Sequence, residues 1–296
     1  MLITGVSTGI GYASAKDLIE HGFHVFGSVR RRDDADRVQR ELGPSFTPLL
    51  FDVTDGKAVR SAAGLVQEMV RDEGLFGLVN NAGICLMGPL MHMPERQIRD
   101  HFEINVFGLL DVTRAFLPLL GASRDARHPP GRIVNLSSVS GRIAYPFLGA
   151  YAASKFAVEA LSDSLRRELL IYGIDVILIE PGAVRTPIWD KGLELDMPQY
   201  ATSDYADILK TFHDDLSGQR DDALPVETVS RVIRRALTRR RPKTRYVIPN
   251  SPLTRWWIPH WLPDRWLDFV VGRHLGYPQA MRHMRDATAD GVNKSS

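Results

Sequence analysis

The sequence predicts an α/β domain in which helices cover both faces of a doubly wound parallel sheet. Short β-branched runs alternate with longer amphipathic stretches from the first residue onward, which is typical of βαβ units. The 296 residues are 44% apolar and 24% charged, enough for one large domain with a substantial core. We therefore expect a single domain over residues 1–296.

The predicted strands and helices follow one another in regular order. The strands are residues 2–4, 25–29, 48–51, 75–79, 132–136 and 175–179. The amphipathic helices between them cover residues 13–21, 57–72, 95–119 and 152–172. The first strand is unusually short, which leaves open whether it is clipped or whether the chain begins upstream.

Charge and cysteine content exclude several classes of protein. Lys+Arg 37 against Asp+Glu 35 gives a net charge of +2, which argues against nucleic acid as a partner. One cysteine excludes a disulfide framework, and the nine histidines are scattered, so no metal site is predicted. No apolar run reaches the ~18 residues of a membrane span, and no signal peptide begins the chain. We expect a cytoplasmic protein.

Two C-terminal segments depart from the βα alternation. Residues 187–225 contain Pro, Asp, Tyr and Gly around short helices, which predicts a flexible substrate flap, with an ordinary surface excursion as the alternative. Residues 250–285 form a Trp-rich extension that holds four of the five tryptophans and follows eight basic residues between 231 and 245. This extension predicts either a membrane contact or a lid on the substrate pocket, and both favour an apolar substrate.

A glycine-rich turn, TGVSTGIG at residues 4–11, lies between the first strand and the first helix. Backbone amides there can hold a pyrophosphate, and glycines permit the close approach of phosphates and of helix to strand. The turn predicts a dinucleotide-binding Rossmann domain. Its expected cofactor contacts are Gly5, Ser7, Thr8, Gly9, Ile10 and Gly11.

The end of the second strand bears on the choice of cofactor. It reads Ser28-Val29-Arg30-Arg31-Arg32, and the first carboxylates, Asp33 and Asp34, come only afterwards. Arginine at this point accommodates a ribose 2′-phosphate, whereas a carboxylate would select NAD. Arg30 and Arg31, helped by the Thr8 hydroxyl, therefore predict NADP as the preferred cofactor, with NAD as the alternative.

The segment YAASK places Tyr151 and Lys155 one turn apart on one helix face. A nearby ammonium favours the phenolate, so we expect Lys155 to lower the pKa of Tyr151 for proton exchange with an alcohol or carbonyl. Ser138 follows the strand at residues 132–136, where the carboxyl ends of a doubly wound sheet surround the ligand. Its hydroxyl is predicted to hold the substrate oxygen.

Taken together, the motifs resemble those of the short-chain dehydrogenases/reductases. TGVSTGIG, Asp52-Val53, NNAG at 80–83, EINVFG at 103–108, IVNLSS, YAASK and PGAVRT occur in the order of that family, between residues 2 and 186. The resemblance implies a catalytic tetrad of Asn105, Ser138, Tyr151 and Lys155. In that tetrad Asn105 would anchor a water that connects Lys155 to solvent.

The same resemblance implies further cofactor contacts. Asp52 and Val53 are expected near the adenine, Asn80, Ala82 and Gly83 are expected to brace the cofactor, and Thr186 is expected near the nicotinamide carboxamide. Pro181, Gly182 and Val184 of the PGAVRT segment, with Tyr151 and Lys155, complete the expected cofactor site.

The expected function is NAD(P)-dependent hydride transfer to or from a hydrophobic secondary alcohol or ketone. The run at residues 155–182 resembles the branch of hydroxysteroid, retinol and 3-hydroxybutyrate dehydrogenases, which ranks steroid-, retinoid- and aliphatic carbonyl-like compounds first. The family also implies a homodimer or homotetramer. The alternative is a cofactor-bound scaffold that docks on a membrane without turnover, which the complete tetrad disfavours.

Overall fold

A computed structural model describes residues 1–187, 197–252 and 256–278. Parts of the predicted flap and extension, residues 188–196, 253–255 and 279–285, lie outside these described residues. Within them, seven parallel strands form one sheet in the order β3-β2-β1-β4-β5-β6-β7. This order, with the reversal between β1 and β4, confirms the doubly wound α/β fold.

The strand bounds agree with the sequence prediction except at some ends. The strands are β1 Leu2–Ile3, β2 Val25–Val29, β3 Phe46–Leu50, β4 Gly77–Asn80, β5 Arg132–Leu136, β6 Asp175–Pro181 and β7 Arg245–Ile248. Strand β7 was not predicted, because four residues next to a basic run give little hydrophobic signal.

Helices connect the strands and extend beyond them. The described helices are α1 Gly9–Glu20, α2 Arg32–Leu42, α3 Gly56–Val70, α4 Glu95–Phe102, α5 Leu109–Phe116, α6 Gly149–Glu168, α7 Met197–Tyr200, α8 Ala206–Asp221, α9 Val226–Thr238, α10 Ile258–Trp261 and α11 Asp264–His274. Helix α2 was missed because it is mostly charged and buries only Ala35 and Val38. The stretch predicted as helix over residues 95–119 is helical throughout, with a π-helical turn, Glu103–Gly108, between α4 and α5.

The sheet packs against helices on both faces. Successive strand residues point to opposite sides, so Leu78 packs with α3 and α5 on one face while Val79 packs with α1 and α9 on the other. Near the carboxyl edge a third apolar cluster joins α8 and Leu275 to Phe147, with Tyr151 packed against it. The fold therefore places α8 and the chain after α11 beside the expected catalytic tyrosine.

Candidate active site

A cavity of about 800 Å³ lies at the carboxyl edge of the sheet. This is the crevice where doubly wound sheets bind ligands. The cavity is lined by most of the predicted cofactor residues: Gly5, Ser7, Thr8, Gly9, Ile10, Arg30, Asp52, Val53, Ala82, Gly83, Tyr151, Lys155, Pro181, Gly182, Val184 and Thr186. Gly11, Arg31 and Asn80 are not among its lining residues.

The glycine turn has the geometry that a pyrophosphate needs. Gly5 and Gly9 have φ of +70° and +60°, a region that other residues rarely adopt. The side chain of Thr8 makes no capping hydrogen bond to α1, so it does not cover the amides at the N-terminus of that helix. A Cβ on Gly11 would lie 2.2 Å from the carbonyl oxygen of Gly5. Gly11 therefore serves helix-to-strand packing, and the turn fits a bound dinucleotide.

Asn81 holds this turn in place, although the sequence analysis did not select it. Its Nδ2 donates to the carbonyls of Thr4 and Gly5 at 2.8 and 3.0 Å, and its backbone N–H donates to the Thr4 hydroxyl at 2.9 Å. Ser28 and Arg37 add two more bonds to the turn, from Gly5 N–H to Ser28 Oγ and from Arg37 Nη2 to Ser7 O. Asn81 is the second residue of the NNAG motif, and that motif was the sequence feature from which its role could have been predicted.

Asn80 has a different position from the one expected. It is buried, and its Nδ2 donates to Thr113 Oγ1 at 2.9 Å and to Asn135 Oδ1 at 2.8 Å. These bonds tie β4 to β5 and α5 beneath the cleft. Because the amide points into the core rather than toward the cavity, the expected direct contact with the cofactor is not supported.

The two arginines after β2 separate in the structure. Arg30 lines the cavity, and its Nη1 lies 3.8 Å from Asp52 Oδ2. Arg31 has an 80% exposed side chain, and its Nε lies 3.2 Å from Asp34 Oδ2. The expectation that Arg31 contacts the cofactor is therefore not supported, because α2 begins directly after it and Asp34 in that helix draws its side chain away. Of these two arginines, only Arg30 is positioned to contact the cofactor ribose.

Three of the tetrad residues meet at the cavity wall. Lys155 Nζ donates to the Leu136 carbonyl at 2.8 Å and lies 5.8 Å from the centroid of the Tyr151 ring. Ser138 lies close enough to Tyr151 to lower the pKa of its phenol, and the Ser138 Oγ accepts from Ser140 N–H at 3.1 Å and donates to Pro181 O at 3.4 Å. The hydroxyls of Ser138 and Tyr151 can thus bind one substrate oxygen together.

Asn105 lies behind this wall and does not line the cavity. Its Oδ1 accepts from Ile84 N–H at 2.8 Å, and its Nδ2 donates to Ile84 O and Ser154 Oγ, both at 3.0 Å. Both amide hydrogens are therefore used. The side chain links the NNAG loop to α6, and the role of Asn105 in holding a water stays a prediction.

Burial is the main cause of the pKa shifts of Tyr151 and Lys155. It raises the pKa of the Tyr151 phenol above its ordinary value, and the hydrogen bond with Ser138 opposes this only in part. Burial also lowers the pKa of Lys155 to about 8. The expected lowering of the Tyr151 pKa by Lys155 is not seen in this structure, where burial is the dominant cause and the charge of Lys155 is not among the causes of the shift. A phenol that keeps its proton at neutral pH is suited to donate it to a carbonyl.

A partly buried ionic cluster fixes the helix that carries Tyr151 and Lys155. Arg245 Nε lies 3.0 Å from Glu159 Oε2 and 3.3 Å from Glu180 Oε1, and its Nη2 lies 2.9 Å from Asp163 Oδ1. Glu180 is fully buried, and burial together with the Glu159 charge raises its pKa to about 7. The cluster joins β6 and β7 to α6 one turn beyond Lys155.

The rest of the cavity is apolar and is built by α8 and α11. Each helix lines it with residues three or four positions apart, which is the spacing of one helix face. These residues are Phe212, Asp215 and Leu216 from α8 and Leu267, Val270, Val271 and His274 from α11. Ile258, Pro259 and Leu262 lie beside them. The C-terminal extension therefore closes the cavity with aliphatic side chains.

The tryptophans are not part of that wall. None of the four tryptophans between 256 and 266 is among the lining residues, and the side chains of Trp257, Trp261 and Trp266 are 55%, 80% and 65% exposed. The expectation of a Trp-lined lid is wrong. The residues of the extension that line the cavity are mostly aliphatic, whereas these three tryptophans are more than half exposed.

Known proteins resemble this chain over most of its length. A family model described as short chain dehydrogenase matches residues 1–194. An NADPH-dependent 3-dehydrocapnine reductase of Ornithobacterium rhinotracheale is 39% identical, over 93% of this chain and 96% of that protein. Human retinol dehydrogenase 5 is 34% identical, over 92% of this chain and 87% of its own length.

Solved structures agree with the sequence comparison. A short-chain dehydrogenase from Streptomyces avermitilis matches with a TM-score of 0.71 and 27% identity, over 95% of this chain and 96% of that one. The fold and the site define an oxidoreductase that uses a nicotinamide cofactor. The chain belongs to the short-chain dehydrogenase/reductase family.

No helix among the described residues is long and apolar enough to cross a membrane.

Proposed function

We propose that the protein is an NADP-preferring oxidoreductase whose substrate is a hydrophobic ketone or the corresponding secondary alcohol. One observation carries this proposal: Tyr151 and Ser138 lie where the dinucleotide cleft meets the apolar pocket formed by α8 and α11. A carbonyl bound there has a proton donor on one side and an apolar wall for its substituents.

The residues of the chain divide the reaction between them. Ser138 and Tyr151 bind the carbonyl oxygen, and Tyr151 gives it a proton. Lys155 is placed to hold the nicotinamide ribose, and its pKa of about 8 lets it exchange a proton with solvent near neutral pH. Bound NADPH supplies the hydride that reduces the carbonyl carbon.

The preference for NADP is supported by Arg30 and by similarity. Arg30 lines the cavity at the end of β2, and no carboxylate of the described chain other than Asp52 lines this end of it. Arg30 stands 3.8 Å from that carboxylate, at the end of β2 where an arginine accommodates a ribose 2′-phosphate. The similar reductase from Ornithobacterium rhinotracheale is named as NADPH-dependent.

A substrate panel tests the proposed function. NADPH and NADH oxidation would be followed with 3-dehydrocapnine, a 3-ketosteroid, retinal and a long-chain aliphatic ketone. We expect at least one of these carbonyls to be reduced, with kcat/KM higher for NADPH by about tenfold or more, the smaller end of what one charged hydrogen bond contributes. Tight NADPH binding without any turnover across the panel would favour the scaffold alternative instead.

A homo-oligomer is consistent with the apolar surface of the chain. Phe107 in the π-helical turn and Phe156 in α6 are 51% and 44% exposed. Large exposed aromatic side chains on two neighbouring helices are typical of subunit contacts. We expect a dimer or tetramer, and light scattering of the purified protein would detect a monomer if this is wrong.

The outer face of the extension supports a peripheral membrane contact. Trp257, Trp261, Trp266 and Phe269 are all more than half exposed and define an aromatic face. The basic residues 239–243 precede β7, whereas the aromatic face follows it, so the two lie at opposite edges of the sheet. Contact would therefore rest on the aromatic side chains rather than on charge.

Vesicle sedimentation tests this contact. Wild-type protein is expected to sediment with phosphatidylcholine vesicles, with little change when salt is added, because the aromatic face works through apolar burial. The double variant Trp261→Ala and Trp266→Ala should remain in the supernatant. Equal sedimentation of both proteins would contradict the proposal.

A further inference from the structure

One carboxylate–imidazole pair interrupts the apolar part of the cavity. His274 Nε2 lies 2.7 Å from Asp215 Oδ2, and both residues line the cavity. The other charged residues among its described lining, Arg30, Asp52 and Lys155, belong to the cofactor and catalytic parts. Asp215 and His274 are therefore the charged groups of the substrate side.

The pair of Asp215 and His274 lies at the mouth of the cavity. The side chain of Asp215 is 30% exposed and that of His274 is 68% exposed, so the carboxylate lies deeper than the imidazole. On α8, Phe212 lies one turn before Asp215 and Leu216 follows it directly. On α11, Val270 and Val271 lie one turn before His274, and all of these residues line the cavity. A molecule in the apolar cavity thus passes the carboxylate before it reaches solvent.

Stability does not explain this pair. A partly exposed ion pair contributes little to folding, and a carboxylate in an apolar wall loses hydration. Two aliphatic side chains at these positions would join α8 to α11 at least as well. In addition, Nε2 of His274 lies beside Oδ2 of Asp215 at 2.7 Å, and the described residues show no hydrogen bond to Oδ1. Because Asp215 lines the cavity, its second carboxylate oxygen is the acceptor that a ligand there could use.

We propose that Asp215 binds a cationic ammonium group of the substrate, so that the substrate class is an apolar amino ketone. This inference rests on the proposed ketone reduction. The carbonyl would lie at Tyr151, the apolar body would contact α8 and α11, and the ammonium would donate to Asp215 at the mouth. His274 holds the carboxylate in position from the outside. An ammonium with its three donors can use Oδ1 while the His274 contact remains.

The test compares two ketones that differ only in charge. One carries a terminal primary amine, and the other carries a hydroxyl at the same position. Wild-type protein is expected to reduce the amino ketone with a kcat/KM roughly tenfold higher, the effect of one partly exposed charged hydrogen bond. Asp215→Asn, which keeps the size of the side chain, should remove this preference, so that kcat/KM for the two ketones differs by no more than about twofold.

Asp214→Asn is the matched control. Asp214 is the neighbouring carboxylate, its side chain is 71% exposed, and it does not line the cavity, so this variant should keep the preference of the wild type. His274→Ala should also keep it, because Asp215 remains. If the pair were only a latch between helices, His274→Ala and Asp215→Asn would lower kcat/KM for both ketones equally, and that result would overturn the proposal.

The remaining outcomes separate this inference from the proposed function. If both ketones are reduced equally by the wild type, or if Asp215→Asn still prefers the amine, the subsite is wrong and ketone reduction stands. A preference for a ketone with a terminal carboxylate would also overturn it. If no ketone is reduced although NADPH binds, the proposed function itself fails.

Discussion

Tyr151→Phe is expected to lower kcat for ketone reduction by about 10² to 10⁴, the usual contribution of a positioned proton donor. The variant loses the hydroxyl that interacts with Ser138 and that is proposed to protonate the substrate oxygen. It keeps the ring, so the packing against the apolar cluster of α8 should persist. Steady-state kinetics would measure the loss, and NADPH fluorescence titration should give an unchanged Kd.

Tyr205→Phe provides a control for the removal of a phenol. Tyr205 packs against the same apolar cluster but does not line the cavity, and its hydroxyl donates to Met91 Sδ at 3.4 Å. We expect kcat for this variant to remain within about twofold of the wild type, as for most changes away from a site. If Tyr151→Phe also retained most of its activity, the assignment of Tyr151 as proton donor would be wrong.

Arg30→Ala is expected to reduce kcat/KM with NADPH by roughly 10- to 150-fold, the range for a charged hydrogen bond. The side chain of Arg30 is 66% exposed, and its Nη1 lies 3.8 Å from Asp52, so solvent screening places the effect near the lower end. The value with NADH should hardly change, because NADH has no 2′-phosphate. Parallel kinetics with the two cofactors would measure the switch.

Arg31→Ala separates a specific effect from loss of local positive charge. Arg31 is the adjacent arginine, but it pairs with Asp34 outside the cavity. Its variant should keep the cofactor preference of the wild type. The assignment of NADP as the preferred cofactor would be refuted if the wild type had a higher kcat/KM with NADH and Arg30→Ala left that preference unchanged.

The sequence predicted those parts of the molecule whose function requires one residue type at one position. The glycine turn is an example, because Gly5 and Gly9 adopt positive φ and Gly11 leaves no space for a Cβ. Tyr151 and Lys155 are another, because one helical turn brings them to the same face without any distant contact. Alternation of apolar and helical patterns was sufficient for six of the seven described strands.

Contacts between residues that are far apart in the sequence could not be predicted from local patterns. Asn81 reaches back 77 positions to Thr4, and Arg37 reaches 30 positions to Ser7, so neither role follows from local spacing. Arg31 looked equivalent to Arg30 until the start of α2 separated them. The two faces of the extension also required the fold, because its sequence mixes aliphatic and aromatic residues without showing which face is buried.

The wall formed by α8 and α11 has an evolutionary consequence. Every predicted nucleotide contact precedes residue 187, whereas the flap and extension helices come after it. Substitutions in these two helices can therefore accumulate without disturbing the inherited redox machinery. Descendants of one ancestral gene could in this way acquire different substrates while the catalytic half of the chain stays the same.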